Sequence, residues 1–314
     1  MQTRALGHSG LQVSVVGLGC NNFGGRLDQA ATDAVVRRAL DQGITLFDTA
    51  DIYGNRGGSE TMLGRALGLE RGRIVLASKF GVAMDDSGQL QGARPAYVRQ
   101  ALEASLRRLG TDYLDLYQLH RPDPDTPIED TLGALDELVQ EGLVRSVGVS
   151  NMPAAEVRAA DEVSRRQALV RVTSCQDEYS LLVRDLEAEL VPVMRELQIG
   201  LLPYFPLASG LLSGKYHAGQ PLPEGARITA SEGAQQRYLT ERNWQVVEQL
   251  RLFAEGAGHS LLELAFSWLL AQDVTSSVIA GATRPEQIDQ NVAAAGWVLS
   301  ADELAEVNRL TAGG

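Results

Sequence analysis

Residues 115–151 read DLYQLHRPDPDTPIEDTLGALDELVQEGLVRSVGVSN. This stretch opens within one apolar run, Leu114–Leu119, and closes on another, Val144–Val149. Between them Ile128, Leu132, Leu135, Leu138 and Val139 recur at spacings of three and four, which places them on one face of a helix. Thr126 is positioned to cap that helix, Pro127 falls in its first turn, and Glu129 completes a capping-box pattern. The flanking runs lack the alternation of half-exposed strands and suit parallel strands covered on both faces. The stretch therefore reads as a βαβ unit.

The same unit recurs in both directions. Val15–Leu18, Ile44–Asp48, Ile74–Ser78, Val170–Cys175, Gly200–Phe205 and Ser276–Ala280 bring the strands to eight. A second amphipathic face, Val98, Ala101, Leu102, Ser105, Leu106 and Leu109, lies between the third and fourth. Polar residues near the strand ends are regularly spaced: 31 residues from Asp48 to Lys79, 41 to His120, 30 to Ser150, 26 to Gln176 and 28 to Tyr204. Eight units predict a closed (β/α)8 TIM barrel rather than an open doubly wound sheet. The 77 residues from Tyr204 to Gly281 imply an insertion after strand seven, with Lys215–Arg242 expected as a mobile loop. Arg4–Ser14, turning at His8-Ser9-Gly10, predicts an N-terminal β-hairpin plugging the barrel bottom. Gly17-Leu18-Gly19 begins like a dinucleotide-binding fingerprint, but Asn22 occupies the third glycine position, so these glycines are expected to let the chain turn at the barrel mouth.

A chain of 314 residues suits one such domain, residues 1–314, since these barrels run to roughly 250 residues plus insertions. No apolar run reaches membrane-spanning length, and the N-terminus lacks the apolar core of a secretory signal. Two cysteines make neither a disulfide framework nor a metal set, and the cytoplasm is the expected compartment. A net charge of −12 argues against nucleic acid and anionic membrane as partners, while local cations can still hold an anionic cofactor.

Asp48, Tyr53, Lys79 and His120 fall at or just beyond three consecutive strand ends, the face where barrel active sites lie. A lysine ending an apolar strand needs a charge partner, and Asp48 on the adjacent strand can supply it. A tyrosine beside that ammonium is expected to have its phenolate stabilised and its pKa lowered. Flanked by Lys79 and His120, it would suit proton donation to a carbonyl oxygen that gains charge during hydride attack. An alternative chemistry, Schiff-base formation on Lys79, would need a depressed lysine pKa, which a neighbouring Asp48 opposes.

FDTADIYGNRGGSETMLGRAL, ASKFG and the opening stretch quoted above together resemble the aldo-keto reductase family, in its bacterial and potassium-channel-β-subunit-like branch. The similarity runs from LGHSGLQVSVVGLGC to VIAGATRPEQIDQNVAA. The resemblance implies a catalytic tetrad at Asp48, Tyr53, Lys79 and His120, with Tyr53 as proton donor, Lys79 and Asp48 tuning it, and His120 orienting the substrate. It implies that Ser150, Asn151 and Gln176 hold the nicotinamide carboxamide, that Tyr204 stacks on the ring, and that Leu207, Ser209 and Lys215 follow the pyrophosphate. Gly281, Thr283 and Arg284, with Gln287 and Asn291, would grip the adenosine and its 2′-phosphate at a helix N-terminus. Phe205 and Thr283 depart from the residues common in relatives. The tail, LSADELAEVNRLTAGG, is too short to wrap a substrate, so specificity is expected from Asn22–Arg26, Met84–Gly92, Arg121–Asp125 and the insertion.

The implied function is hydride transfer between NADP and a small carbonyl, alcohol or sugar; the alternative is a cofactor-binding regulatory subunit with little turnover. NADPH is expected over NADH, with NAD use still open. Thr283 and Glu286 have capping-box spacing around Pro285, no acid lies within Gly281–Pro285, and an arginine at a helix N-terminus opposes the dipole unless an anion docks there.

Overall fold

In the computed structural model, which describes residues 1–312, the apolar runs pair side by side in chain order. Gly313 and Gly314, the end of the closing tail, lie outside the described residues. β1 (Thr3–Ala5) and β2 (Gln12–Ser14) form the antiparallel hairpin. β3 (Val16–Gly19), β4 (Leu46–Asp48), β5 (Val75–Phe80), β6 (Leu116–Leu119), β7 (Val147–Ser150), β8 (Val172–Gln176), β9 (Gly200–Leu201) and β10 (Val278–Gly281) form one parallel sheet, with β10 beside β3. Its two ends meet. Leu201 N–H donates to Val274 C=O at 2.7 Å, Ser276 N–H to Leu201 C=O at 2.9 Å, and Ile279 N–H to Pro203 C=O at 3.1 Å. The sheet closes into the (β/α)8 barrel, and closure removes its free edges.

Helices α1 (Gln29–Asp41), α2 (Tyr53–Leu67), α3 (Pro95–Leu109), α4 (Ile128–Gln140), α5 (Ala154–Gln167) and α6 (Leu190–Leu197) each follow one strand. α7 (Glu232–Tyr238), α8 (Glu241–Gly256) and α9 (Leu261–Ala271) lie between β9 and β10, and α10 (Pro285–Ala294) and α11 (Ala301–Thr311) close the chain. The predicted faces are the buried ones: Val98, Ala101, Leu102, Ser105 and Leu109 on α3, and Leu132, Leu135 and Leu138 on α4. None of these helices is long and apolar enough to cross a membrane, among the described residues.

Three local expectations are corrected. Thr126 and Glu129 form no capping box. Pro127 takes the cap position with extended backbone (ψ 136°), so Thr126 lies one residue too far out, and its hydroxyl donates instead to Asp123 Oδ2 at 2.7 Å. Reciprocal boxes do open α9 (Ser260 and Glu263) and α11 (Ser300 and Glu303). Lys215–Arg242 is not structureless: Tyr216, Ala226, Ile228 and Tyr238 are buried, and α7 forms within it. Gly17 and Gly19 do not turn at the mouth. They lie inside β3, where a Cβ would come within 2.9 Å of Ser277 Oγ or 3.1 Å of Ile279 Cγ2.

The barrel interior is a separate core. Leu46, Val75, Ala77, Leu116, Leu202 and Ile279 point inward and are met by Leu6, Leu11 and Val13 of the hairpin. Arg4 ties the hairpin to the barrel by donating to the carbonyls of Leu270 (2.6 Å) and Thr275 (2.9 Å). The plug seats only because Gly7, at φ +51°, has no side chain: a Cβ there would lie 2.2 Å from Thr173 O and 2.8 Å from Gly200 N. Gly7→Ala is therefore expected to destabilise the protein by about 1–3 kcal/mol, the usual cost of overpacking, read as a lower denaturant midpoint at unchanged slope. A midpoint equal to that of the parent chain would mean that the plug adjusts without strain.

Candidate active site

The same alternation that fills the barrel floor carries polar groups into its C-terminal end. On β4, Leu46 and Asp48 point inward; on β5, Val75, Ala77 and Lys79 do so; on β6, Leu116 and Gln118 precede His120. Lys79 has no solvent exposure and Asp48 only 3%. Lys79 Nζ donates to Asp48 Oδ2 at 2.6 Å and to Thr49 C=O at 2.9 Å. The other carboxylate oxygen, Oδ1, accepts from Gln176 Nε2 at 2.9 Å and from Gln118 Nε2 at 3.2 Å. Asp48 is thus paired with Lys79 and satisfied on both oxygens. Burial pulls the Lys79 pKa down, but Asp48 and Tyr53 outweigh it and hold the ammonium above its ordinary value. Gln118 was not singled out in the sequence, although its position two residues before His120 puts it on the same strand face.

Tyr53 opens α2, and its approach is unusual. Gly54, Asn55, Arg56 and Gly57 all have positive φ (68°, 61°, 65° and 112°), a left-handed turn directly after the tyrosine. For Asn55 and Arg56 this costs roughly 1–2 kcal/mol each. Contacts over-determine the turn. A Cβ on Gly54 would lie 2.4 Å from both Phe23 O and Ser59 N, and Arg56 pairs with Asp86. The turn sets the Tyr53 ring 5.1 Å from Lys79 Nζ and edge-on to His120, with centroids 5.6 Å apart. The expected lowering of the Tyr53 pKa does not result. Burial raises it, the pull of Lys79 is partly cancelled by Asp48, and the net direction is upward. His120 is pushed down to about 3 by burial, with Lys79 and Arg121 adding to it, so its ring is uncharged at ordinary pH.

His120 connects to the next predicted group. Its carbonyl accepts from Asn151 Nδ2 at 3.1 Å, and that amide nitrogen also donates to Ser150 Oγ at 2.9 Å. Asn151, itself at φ 56°, accepts the Tyr204 hydroxyl at 2.7 Å. Ser150 Oγ donates to Gln176 C=O at 2.8 Å. Ser150, Asn151, Gln176 and Tyr204 are therefore one hydrogen-bonded unit with Asp48, Lys79 and Gln118. Leu207 precedes a short turn in which Ser209 is buried at φ 57°.

A second group gathers around the end of β10. Lys215 has its pKa lowered by burial and by the nearby charges of Arg284 and Arg26. Arg227 was not foreseen in the sequence. It reaches from the insertion to 3.4 Å from Asn21 Oδ1 and 3.3 Å from Asn22 Oδ1, with its guanidinium 5.3 Å from the Phe205 ring centroid. Gly281 ends β10 against Asn22, whose Nδ2 would be 3.2 Å from a Cβ there. The Thr283–Glu286 box is not formed. Arg284 occupies the cap position, and Gln287 Oε1 accepts from the Thr283 amide (2.7 Å) and hydroxyl (3.1 Å). Glu286 instead approaches Arg284 at 3.7 Å, a solvated pair of small worth. Asn291 is buried on α10. No three His, Cys, Asp or Glu residues gather as a metal site among the described residues.

Residues 15–312 match the pattern of the aldo/keto reductase family. The chain is 36% identical to a protein of Glycine max described as probable aldo-keto reductase 1, over 98% of this chain and 88% of that protein.

Removing one partner of the Lys79–Asp48 pair strands a buried charge. Lys79→Met is expected to cost roughly 3–5 kcal/mol, and Asp48→Asn combined with it less than the sum of the two single changes. A double-mutant cycle in urea measures this coupling; additive effects would show that the two charges act independently.

Proposed function

The chain belongs to the aldo/keto reductase family, and from that membership and the geometry of the barrel mouth we propose that it is an NADP-dependent oxidoreductase acting on a small carbonyl, alcohol or sugar. Residues 1–314 would form one domain with a single site. The observation that carries this reading is a tyrosine set against a buried, charge-paired lysine and an uncharged histidine at the C-terminal end of the barrel.

The residues suit an anionic dinucleotide. Arg26, Lys215, Arg227 and Arg284 concentrate positive charge at one edge of the mouth of a chain whose net charge is −12. The absent side chain of Gly281 leaves backbone accessible beside Asn22. Ser150, Asn151 and Gln176 would hold the nicotinamide end, Tyr204 would stack on it, Leu207, Ser209, Lys215 and Arg227 would follow the phosphates, and Gly281, Thr283, Arg284, Gln287 and Asn291 would take the adenosine end. Bound there, the nicotinamide supplies or accepts the hydride.

In the reducing direction, Tyr53 would donate its proton to the substrate oxygen as charge develops on it. Lys79, kept cationic by Asp48, would stabilise the tyrosinate left behind. In the free protein burial holds the phenol protonated, which is the form that this direction requires. His120, being uncharged, can offer an N–H to the substrate oxygen without competing for the proton.

Two substitutions test the assignment. Tyr53→Phe should lower kcat by about 10² or more while leaving cofactor affinity unchanged, since it removes only the proton donor. Retention of most of the rate would reassign that role. Arg284→Ala should weaken NADPH by about ten- to a hundredfold, the worth of one charge-assisted contact, with little change for NADH. The four dissociation constants decide it: equal losses for both cofactors, or tighter NADH binding by the parent protein, would overturn the preference for NADPH.

A further inference from the structure

Asp51 has neither a role in this chemistry nor a side-chain partner. It is 1% exposed, and neither carboxyl oxygen makes a hydrogen bond. A buried carboxylate left so is costly, whereas a neutral acid is tolerable. Its backbone N–H donates to Lys79 C=O at 3.1 Å, while the charges that act most on its carboxyl, Glu60 and Arg108, belong to the helices outside β5.

There Glu60 on α2 is fully buried. Its Oε1 accepts from Ser78 Oγ at 2.5 Å and its Oε2 from Arg108 Nε at 2.6 Å. Arg108, on α3, also donates to Ser105 Oγ at 3.2 Å. The charged and titratable groups that act on Asp51 are Glu60 from α2, Arg108 and Tyr97 from α3, Tyr117 from β6 and, across the strand, Lys79. On the helical side, two carboxyls thus share one cation. With Asp51 neutral, Glu60 and Arg108 balance.

Arg108 does a second thing. Its side chain lies against Gly57, where a Cβ would be 2.5 Å from Cδ and 2.8 Å from Nε. Gly57 closes the left-handed turn that follows Tyr53. The cation that compensates Glu60 is therefore also the brace under the turn that aims the phenol.

We propose that Asp51 is a positioning residue for Tyr53 that works only as the neutral acid: ionised, it competes with Glu60 for Arg108 and loosens the turn. This rests on Tyr53 as the proton donor of the reductase reading. The electrostatics agree in direction. Burial first, then Glu60, pushes the Asp51 carboxyl up to about 8, against the weaker pull of Arg108, the Ile52 backbone N–H and Lys79.

The test is kcat against pH from 6 to 10, with saturating NADPH and aldehyde, for the parent protein, Asp51→Asn and Glu60→Gln. The parent should lose rate above about pH 8, approaching tenfold per pH unit, with the KM for NADPH unchanged. Asp51→Asn, which mimics the neutral acid, should hold its rate through that range. Glu60→Gln, which leaves Asp51 without a competitor for Arg108, should weaken or abolish the fall above pH 8. A parent without the fall, an Asp51→Asn profile falling where the parent's does, or an Asp51→Asn protein inactive at every pH would each overturn the proposal.

Melting temperature supplies a readout independent of turnover. The unfolded chain loses this proton near pH 3.8 and the folded chain only near 8. The parent's stability from this group therefore declines between those values and then levels. The advantage of Asp51→Asn should widen over that span and stay constant above it. If the widening appears but no carbonyl turns over, the reductase reading fails together with the positioning role, while the neutral buried acid stands. If turnover is present and the melting gap does not change with pH, the neutral acid itself is refuted.

Discussion

The buried pair of Lys79 and Asp48 is the constraint around which the mouth of this barrel is organised. An ammonium with no solvent exposure is tolerable only with a charge partner and filled hydrogen bonds, and it has both. Two amides, from Gln118 and Gln176, complete the carboxylate. Through Gln176 the pair is continuous with Ser150, Asn151 and Tyr204. A fixed positive charge is the result, at a place where a tyrosinate would otherwise be unsupported. Burial in the same mouth keeps His120 uncharged and Tyr53 protonated in the free protein.

Strand β5 separates two polar systems of opposite character. Its inward side carries Lys79, fully compensated by Asp48; its outward side carries Ser78, which joins Glu60, Arg108 and the unpartnered Asp51. The left-handed turn from Gly54 to Gly57 runs between them. Such strain persists only where the surroundings over-determine it. Here Gly24 and Phe23 crowd one end and Arg108 the other. The position of one phenol thus depends on packing from both faces of the barrel wall.

Much of this was legible in the sequence because it follows from period. Continuous apolar runs at regular spacing predicted eight parallel strands, and the strand-end positions of Asp48, Lys79 and His120 predicted their convergence. What could not be read depended on tertiary contacts. Gly17 and Gly19 looked like turn residues because their need for space comes from Leu46, Ser277 and Ile279, remote in the chain. Thr126 matched a capping pattern that Pro127 shifts by one residue. Arg227 lay in a polar segment that gave no sign of folding back toward Asn21 and Asn22. The sequence predicts a lowered Tyr53 pKa because the charge of Lys79 is visible in it and the extent of burial, which reverses the sign, is not.

The proposed chemistry of this mouth is hydride transfer between a fixed nicotinamide face and a carbonyl carbon. The most direct measurement uses NADPH deuterated at C4, one epimer at a time, with a small aldehyde, and mass spectrometry of the alcohol formed. A ring held by Ser150, Asn151 and Gln176 should pass its label to the carbinol carbon from one epimer only, with one deuterium per product molecule. Label delivered equally from both epimers, or an alcohol carrying none from either, would contradict the account.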